Sequence, residues 1–295
     1  MSDRSIAAPD LATAMDWFIS TSADPNLCPY FLSIDHAPSE QIDGSEWHHT
    51  AMIISQNIEH QILADDLGKT ISPATGKLKQ WKNTKLKYRK KFQTQLWHEL
   101  KKLPLLVLGM SAREVDIVSG EDGFARELGI FENYRRITIN EKIMVEFGPY
   151  RNSDDDEYQT IIISPKHATM AIYTAAYMLR IHNALSSAVA KTLSNDSKDN
   201  SIWMQVWSDK PPNDFSGKYA ELMWLLLGSA NAEGKFTWGG FQTQEDQPID
   251  ILVDNLAGFL NSATSEPHKY QYSGPVLQPP ISGTFFWERL QSPMS

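Results

Sequence analysis

Residues 29–38 read PYFLSIDHAP. An apolar run from Tyr30 to Ile34 leads straight into Asp35 and His36, and then into Pro38. A second apolar run, HHTAMIIS at 48–55, follows after a polar loop that contains Pro38 and Gly44. Both runs are apolar at odd and even positions alike. That pattern suits central strands covered on both faces better than an exposed hairpin. A carboxylate at the end of such a run is costly unless water, a hydrogen-bond donor or a cation meets it. Asp35 therefore needs a partner.

Outward from these strands, helical and strand patterns alternate. DLATAMDWFIS at 10–20 is a short amphipathic stretch, and EHQILADDLG at 59–68 predicts a short helix ending at Gly68. Residues 83–102 predict a helix in which Tyr88, Phe92, Leu96 and Leu100 recur every four positions as a buried stripe. Pro104 ends it, and LLVLGMS at 105–111 follows as a buried strand. Residues 113–164 read as an insertion, with RRITINEKIMVEFG and YQTIIIS as two strands of a hairpin around the polar loop RNSDDDE. Ser164-Pro165 opens the clearest helix, which runs to the turn-rich 194–201 segment. IWMQVWSD (202–209) is the next strand, GKYAELMWLLLGSA (217–230) a helix, KFTWGG (235–240) a short strand, and PIDILVDNLAGFLNSA (248–263) a last helix.

This order predicts a mixed α/β sheet with helices on its faces and an inserted β-hairpin region. The division expected is an N-terminal helical extension over 1–28, a single domain over 29–262 carrying the insertion around 113–164, and a tail over 263–295. The tail is rich in Pro and aromatics. It reads as an extended segment docked on the body, a candidate surface for a protein partner or self-association.

Three acids stand at the ends or in the middle of apolar elements. Asp35 follows YFLSI, Asp209 follows IWMQVWS, and Asp254 interrupts IDILVDNLAG. Carboxylates that converge repel and raise each other's pKa unless a divalent cation compensates. Magnesium, a hard ion held by a few carboxylates and its own waters, suits such a set, and paired ions of this kind assist phosphodiester cleavage. The bland account is also complete. Asp after a strand is ordinary turn chemistry, Asp250 caps the last helix, and Asp254, Gly258 and Asn261 share a solvated face.

The charge is segregated. Lys77 to Lys102 contains ten Lys or Arg residues and one acid, Glu99, in a chain whose net charge is −9. A positive patch on an acidic body can track a phosphate backbone. Lys82, Lys85, Arg89 and Lys90 are the candidate nucleic-acid contacts, with Trp81, Tyr88 and Trp97 interleaved as stacking surfaces. The same run equally describes a solvated helix face paired with acids elsewhere, such as Asp154 to Glu157.

Other residues narrow the classes. One cysteine, Cys28, excludes an intramolecular disulfide and a Cys-based zinc site. A buried, inert thiol is its simplest reading. His36, His48 and His49 lie at facing ends of the first two strands, either as transition-metal ligands with Asp35 or as ordinary strand residues. Trp203 and Trp207 alternate on one strand, as a groove lining or as a core face. No Gly-x-Ser-x-Gly elbow, dinucleotide fingerprint or phosphate loop is present. No run reaches the ~20 apolar residues of a membrane span, and no leader is visible at the N-terminus. The expectation is a soluble cytoplasmic protein without membrane contact.

Read in order, the chain has a strand ending in an acid, a second strand, a basic helix, a strand and a Tyr/Ala-rich helix (AIYTAAYMLRIHNAL). A strand ending in VWSDKPPN and a helix reading IDILVDNLAGFL complete it. This series resembles the ribonuclease-H-like family of uncharacterised bacterial and phage proteins that carry an N-terminal Asp-Glu-Ser-Gly motif. The resemblance spans most of 29–262 and is thin across 113–164. It implies a ribonuclease-H-like mixed sheet with flanking helices. It also implies a metal-dependent nuclease or phosphodiesterase, a hydrolase using Mg2+ or Mn2+, with Asp35, Asp209 and Asp254 as catalytic and metal-binding residues. The chain departs from the family where it reads Asp35-His36-Ala37-Pro38, where Asp250 replaces a Gln, and where GKLK at 76–79 keeps only the lysines of a Glu-x-Lys motif. These departures carry the alternative: a catalytically degenerate protein of the same fold that binds nucleic acid or a protein partner.

Overall fold

The structure is a computed structural model that describes residues 11–21, 24, 28–42, 45–56, 59–85, 87–89, 91, 95, 103, 105–113, 131–133, 136–139, 143–147, 159–163, 165–193, 202–208, 222–224, 226–227, 234–238, 248–265 and 285–290. A six-stranded mixed sheet organises the chain. Its first two strands, β1 (Tyr30–Ile42) and β2 (Ser45–Ser55), pair antiparallel, with Asp35 opposite Ala51. β3 (Leu106–Arg113) adds antiparallel to β2.

An additional sheet follows, made of β4 (Phe131–Asn133), β5 (Arg136–Ile139), β6 (Ile143–Phe147) and β7 (Gln159–Ile163). The chain then returns to the first sheet. β8 (Met204–Ser208) lies parallel to β1, β9 (Phe236–Trp238) parallel to β8, and β10 (Phe285–Leu290) parallel to β3. The order across the first sheet is β10-β3-β2-β1-β8-β9.

Side-chain alternation divides the core in two. Tyr30, Leu32 and Ile34 of β1 join Met52, Ile54, Leu106, Leu108, Met204 and Val206 on one face. That face is covered by α1 (Leu11–Thr21), by α3 (Pro165–Thr192) and by helical residues 222–224 and 226–227. Ala37, Ala51, Ile53 and Val107 point to the other face, under α2 (Glu59–Ile71) and α4 (Pro248–Ser265). The continuous apolar runs of β1 and β2 are thus explained by a helical layer on each side of the sheet. α3 packs against α1, while α4 lies over β1 and β2 and touches α2.

The structure departs from the sequence expectations in four places. The loop expected around Pro38 is instead strand, because β1 runs on to Ile42 and the register slips between Ala37 and Glu40. A bulge of this kind accommodates a proline, which has no N–H to give to the ladder. α2 does not stop at Gly68 but continues to Ile71. A Cβ at Gly68 would lie 2.5 Å from the backbone nitrogen of Leu78, so the glycine is there for close approach of the returning chain.

In the insertion, RRITINEKIMVEFG is itself a hairpin, β5 with β6. YQTIIIS then pairs parallel to β6, not antiparallel across RNSDDDE. Parallel pairing needs a longer crossover than a tight turn. Within the tail, residues 285–290 form an edge strand of the main sheet. Of the 83–102 helix, residues 87–89, 91 and 95 are helical, and Tyr88 packs against the second core. Phe92, Leu96 and Leu100 lie outside the described residues, as does Trp97.

Candidate functional site

Asp35 lies midway along β1, on the face that α4 covers. Its neighbours on that face are small: Ser33 and Ala37 on its own strand and Ala51 opposite it on β2. One carboxylate oxygen, Oδ1, accepts the backbone N–H of His36 at 2.7 Å. On its other side β1 pairs with β8 as far as Ile34 with Ser208. Asp209 follows Ser208 directly in sequence and lies outside the described residues.

Asp254 sits on α4, and its Oδ2 accepts the backbone N–H of Trp81 at 2.7 Å. Trp81 opens a single 3-10 turn, Trp81–Asn83, whose preceding residue, Gln80, gives no side-chain cap. Asp254 supplies that cap from across the fold, a charge-assisted bond to the first amide of the turn. Asn255 holds the same segment, donating from Nδ2 to the carbonyls of Lys79 (2.8 Å) and Ile251 (2.7 Å).

Gly258 lies one helical turn after Asp254, and a Cβ there would come within 2.3 Å of the Trp81 ring. The Asp254–Gly258 face is therefore covered by an indole rather than solvated. Phe259 meets the same ring edge-on with centroids 6.5 Å apart. Arg89 stacks over the indole at 4.7 Å and donates to the carbonyls of Thr84 (2.8 Å) and Trp81 (2.9 Å). Much of its hydrogen-bonding capacity is thus used within the protein. Lys85 is exposed, whereas the Lys82 side chain and Lys90 lie outside the described residues.

The histidines are sorted by strand alternation. His36 stands on the face opposite Asp35, with Nδ1 2.9 Å from Thr50 Oγ1. His48 shares that face, and His49 shares the Asp35 face. Asp35 and the three histidines therefore do not project to one side of the sheet. Among the described residues no group of three His, Cys, Asp or Glu side chains gathers as a metal cage. Trp207 packs against the core on the α4 face, and Cys28 is half-buried and forms no disulfide.

The donor chemistry of Asp35 and Asp254, carboxylate oxygens on one side of the sheet, fits a hard divalent cation. An ionised carboxylate has about four lone-pair sites, and an amide N–H meets one oxygen of each of these two. The residues reading the sequence did not single out are Asn255 and the Trp81–Gly258 contact. Their one visible signal was the four-residue spacing of Asp254 and Gly258, which puts both on one helix face.

No family model, curated protein or solved structure matches the chain. No helix among the described residues is long and apolar enough to cross a membrane.

Proposed function

We propose that this protein has a ribonuclease-H-like fold and is a metal-dependent nuclease or phosphodiesterase acting on nucleic acid. The observation that carries the reading is the arrangement of the sheet around Asp35. Three strands run antiparallel in the order β3-β2-β1, two more follow parallel to β1, and Asp35 occupies the central strand under the helix that bears Asp254. A strand order alone does not make an activity. The pairing of that order with acids on β1, directly after β8 and on the last helix is what favours hydrolysis.

Asp35, Asp209 and Asp254 would hold Mg2+ or Mn2+. Such an ion polarises a phosphoryl oxygen and lowers the pKa of a bound water. The chain's own contribution is orientation. The His36 amide fixes Asp35, and the Trp81 amide fixes Asp254.

The test is cleavage of single strands, duplexes and RNA–DNA hybrids in Mg2+ or Mn2+. The wild type is compared with Asp35→Asn and Asp209→Asn. Loss of about a hundredfold or more in either variant is expected for a residue that binds the reacting centre. Equal cleavage by wild type and variants, or none by the wild type, rejects the enzyme.

One observation favours a second reading, a catalytically degenerate protein that binds nucleic acid or a protein partner. Asp254 has a structural task, capping Trp81, that explains the acid without any metal. On that reading nucleic-acid binding survives Asp35→Asn and needs no divalent ion.

A further inference from the structure

A cleft of about 580 Å³ opens between α2, the 75–83 segment and the first turn of α4. Its floor is apolar, from the buried side chains of Ala64, Leu78 and Ile251. Its rim is polar and of both signs, with Lys77, Lys79, Asp65, Gln80 and Asn83 exposed and Asp250 half-buried. A smaller hollow of about 80 Å³ is lined by the same segment. It shares Lys77, Leu78, Lys79 and Asn83 and adds Lys85 and Tyr88. The 77–85 segment is thus a ridge bearing exposed lysines that lines both a roomy cleft and a shallow aromatic-edged hollow.

We propose that this cleft holds one nucleotide of a single-stranded nucleic acid, with the strand's phosphates crossing the ridge at Lys77, Lys79 and Lys85. The inference rests on the reading of the protein as one that acts on nucleic acid, and it adds where the strand is held and in what form. Three features select this ligand. The volume falls in the range of small-molecule clefts, enough for a single base and sugar, and a duplex cannot enter it. An apolar floor receives a base face, while the amides of Gln80 and Asn83 and the carboxylates of Asp65 and Asp250 match the donor and acceptor edges of a base. A stripe of cations alone would read only the backbone; the mixed rim beside a cationic ridge offers contacts for both parts of a nucleotide. The ridge is also anchored. Asp254 and Asn255 grip its backbone at Trp81 and Lys79, so the lysines are presented from a fixed segment.

The experiment is fluorescence anisotropy of labelled single-stranded DNA and RNA 12-mers, and of the corresponding duplex, with full-length protein in EDTA. It is run from 50 to 300 mM salt on the wild type, on Lys77→Gln/Lys79→Gln and on Asn83→Trp. All three positions are exposed, and thermal melts confirm that the variants fold.

Single strands are expected to bind more tightly than duplex. The double variant is expected to lose roughly tenfold in affinity, with a salt slope shallower by about 1.4, two phosphate contacts at ~0.7 each. Asn83→Trp, which fills the cleft mouth without removing charge, is expected to weaken binding with the slope unchanged. Tighter binding of one sugar type tells DNA from RNA. No single-strand binding by the wild type, duplex bound as tightly as single strands, or a double variant within twofold of wild type overturns the inference. Because no metal is present, these outcomes are independent of cleavage. A protein that binds through the cleft but never cuts refutes the enzyme and leaves the cleft standing. One that cuts but ignores the double substitution does the reverse.

Discussion

Asp254 accepts the backbone amide of Trp81 at 2.7 Å, joining α4 to a turn 173 positions earlier in the chain. Gly258, on the next turn of the same helix, lies against the indole of that tryptophan. One helix face thus holds both the backbone and the ring of a single residue, and Arg89 closes over the ring from beyond.

Asp254→Ala removes a charge-assisted acceptor from a part-buried amide. It should cost about 1.5–3 kcal/mol in urea unfolding. Asp254→Asn keeps a carbonyl acceptor and should cost under about 1 kcal/mol. If the acid also serves hydrolysis, the Asn variant separates the roles, being nearly as stable as wild type yet inactive. Equal destabilisation by the two variants would show that this hydrogen bond does not hold the turn.

Gly258→Ala would gain up to about 1 kcal/mol from helix propensity alone. The indole at 2.3 Å opposes it, and overpacking of this sort costs about 1–3 kcal/mol. Net destabilisation is expected. All three nearest atoms belong to the Trp81 side chain, so in a Trp81→Ala background the same substitution should become neutral or stabilising. A double-mutant cycle with no coupling would refute the contact.

Gly68→Ala is opposed by main chain. The nearest atoms are backbone of Leu78, Lys77 and Gly76, the closest at 2.5 Å. No side chain can swing aside, so the loss should be about 2 kcal/mol or more, and trimming Leu78 to Ala should not rescue it. A melting temperature at or above wild type would be the contrary result.

His182 is buried in α3, with Nε2–H donating to the carbonyl of Ile202 at 2.8 Å and the ring tilted against Phe236. Burial pulls its pKa below the usual 6.5, only partly offset by the hydrogen bond to Ile202. The imidazole therefore stays neutral in the folded protein at pH values where the unfolded chain already binds a proton. Its contribution to stability is whole above 6.5, falls as pH drops through the unfolded value, and levels off below the folded one. The unfolding free-energy difference between wild type and His182→Gln should shrink between pH 7.5 and 5. A pH-independent difference would argue against a neutral buried ring.

Much of the main sheet was legible in the sequence. The apolar runs at 30–36, 48–55, 105–111 and 202–208 are strands, and the long 165–192 helix begins at its proline. The strands declare themselves as short continuous apolar runs bounded by turn residues, and the helix by its length and its opening proline. The insertion was misread because short strands declare themselves without declaring partners. YQTIIIS looks the same whether it pairs parallel or antiparallel. The candidate site was only half legible. Asp35 and Asp254 stood out as charges in apolar elements, but Asp254 beside Gly258 looked like a wet face until Trp81 was seen lying on it.

The residues by themselves determined where most of the main-sheet strands and the long helix lie, because apolar runs and their flanking turn residues are local. Only the tertiary structure decided that Asp35 and His36 part to opposite faces beneath different helices. It also decided that the face of α4 bearing Asp254 is covered by a tryptophan, and that the lysines at 77 and 79 stand over a cleft. Those are contacts between segments far apart in the chain, and no local period records which surface will meet which.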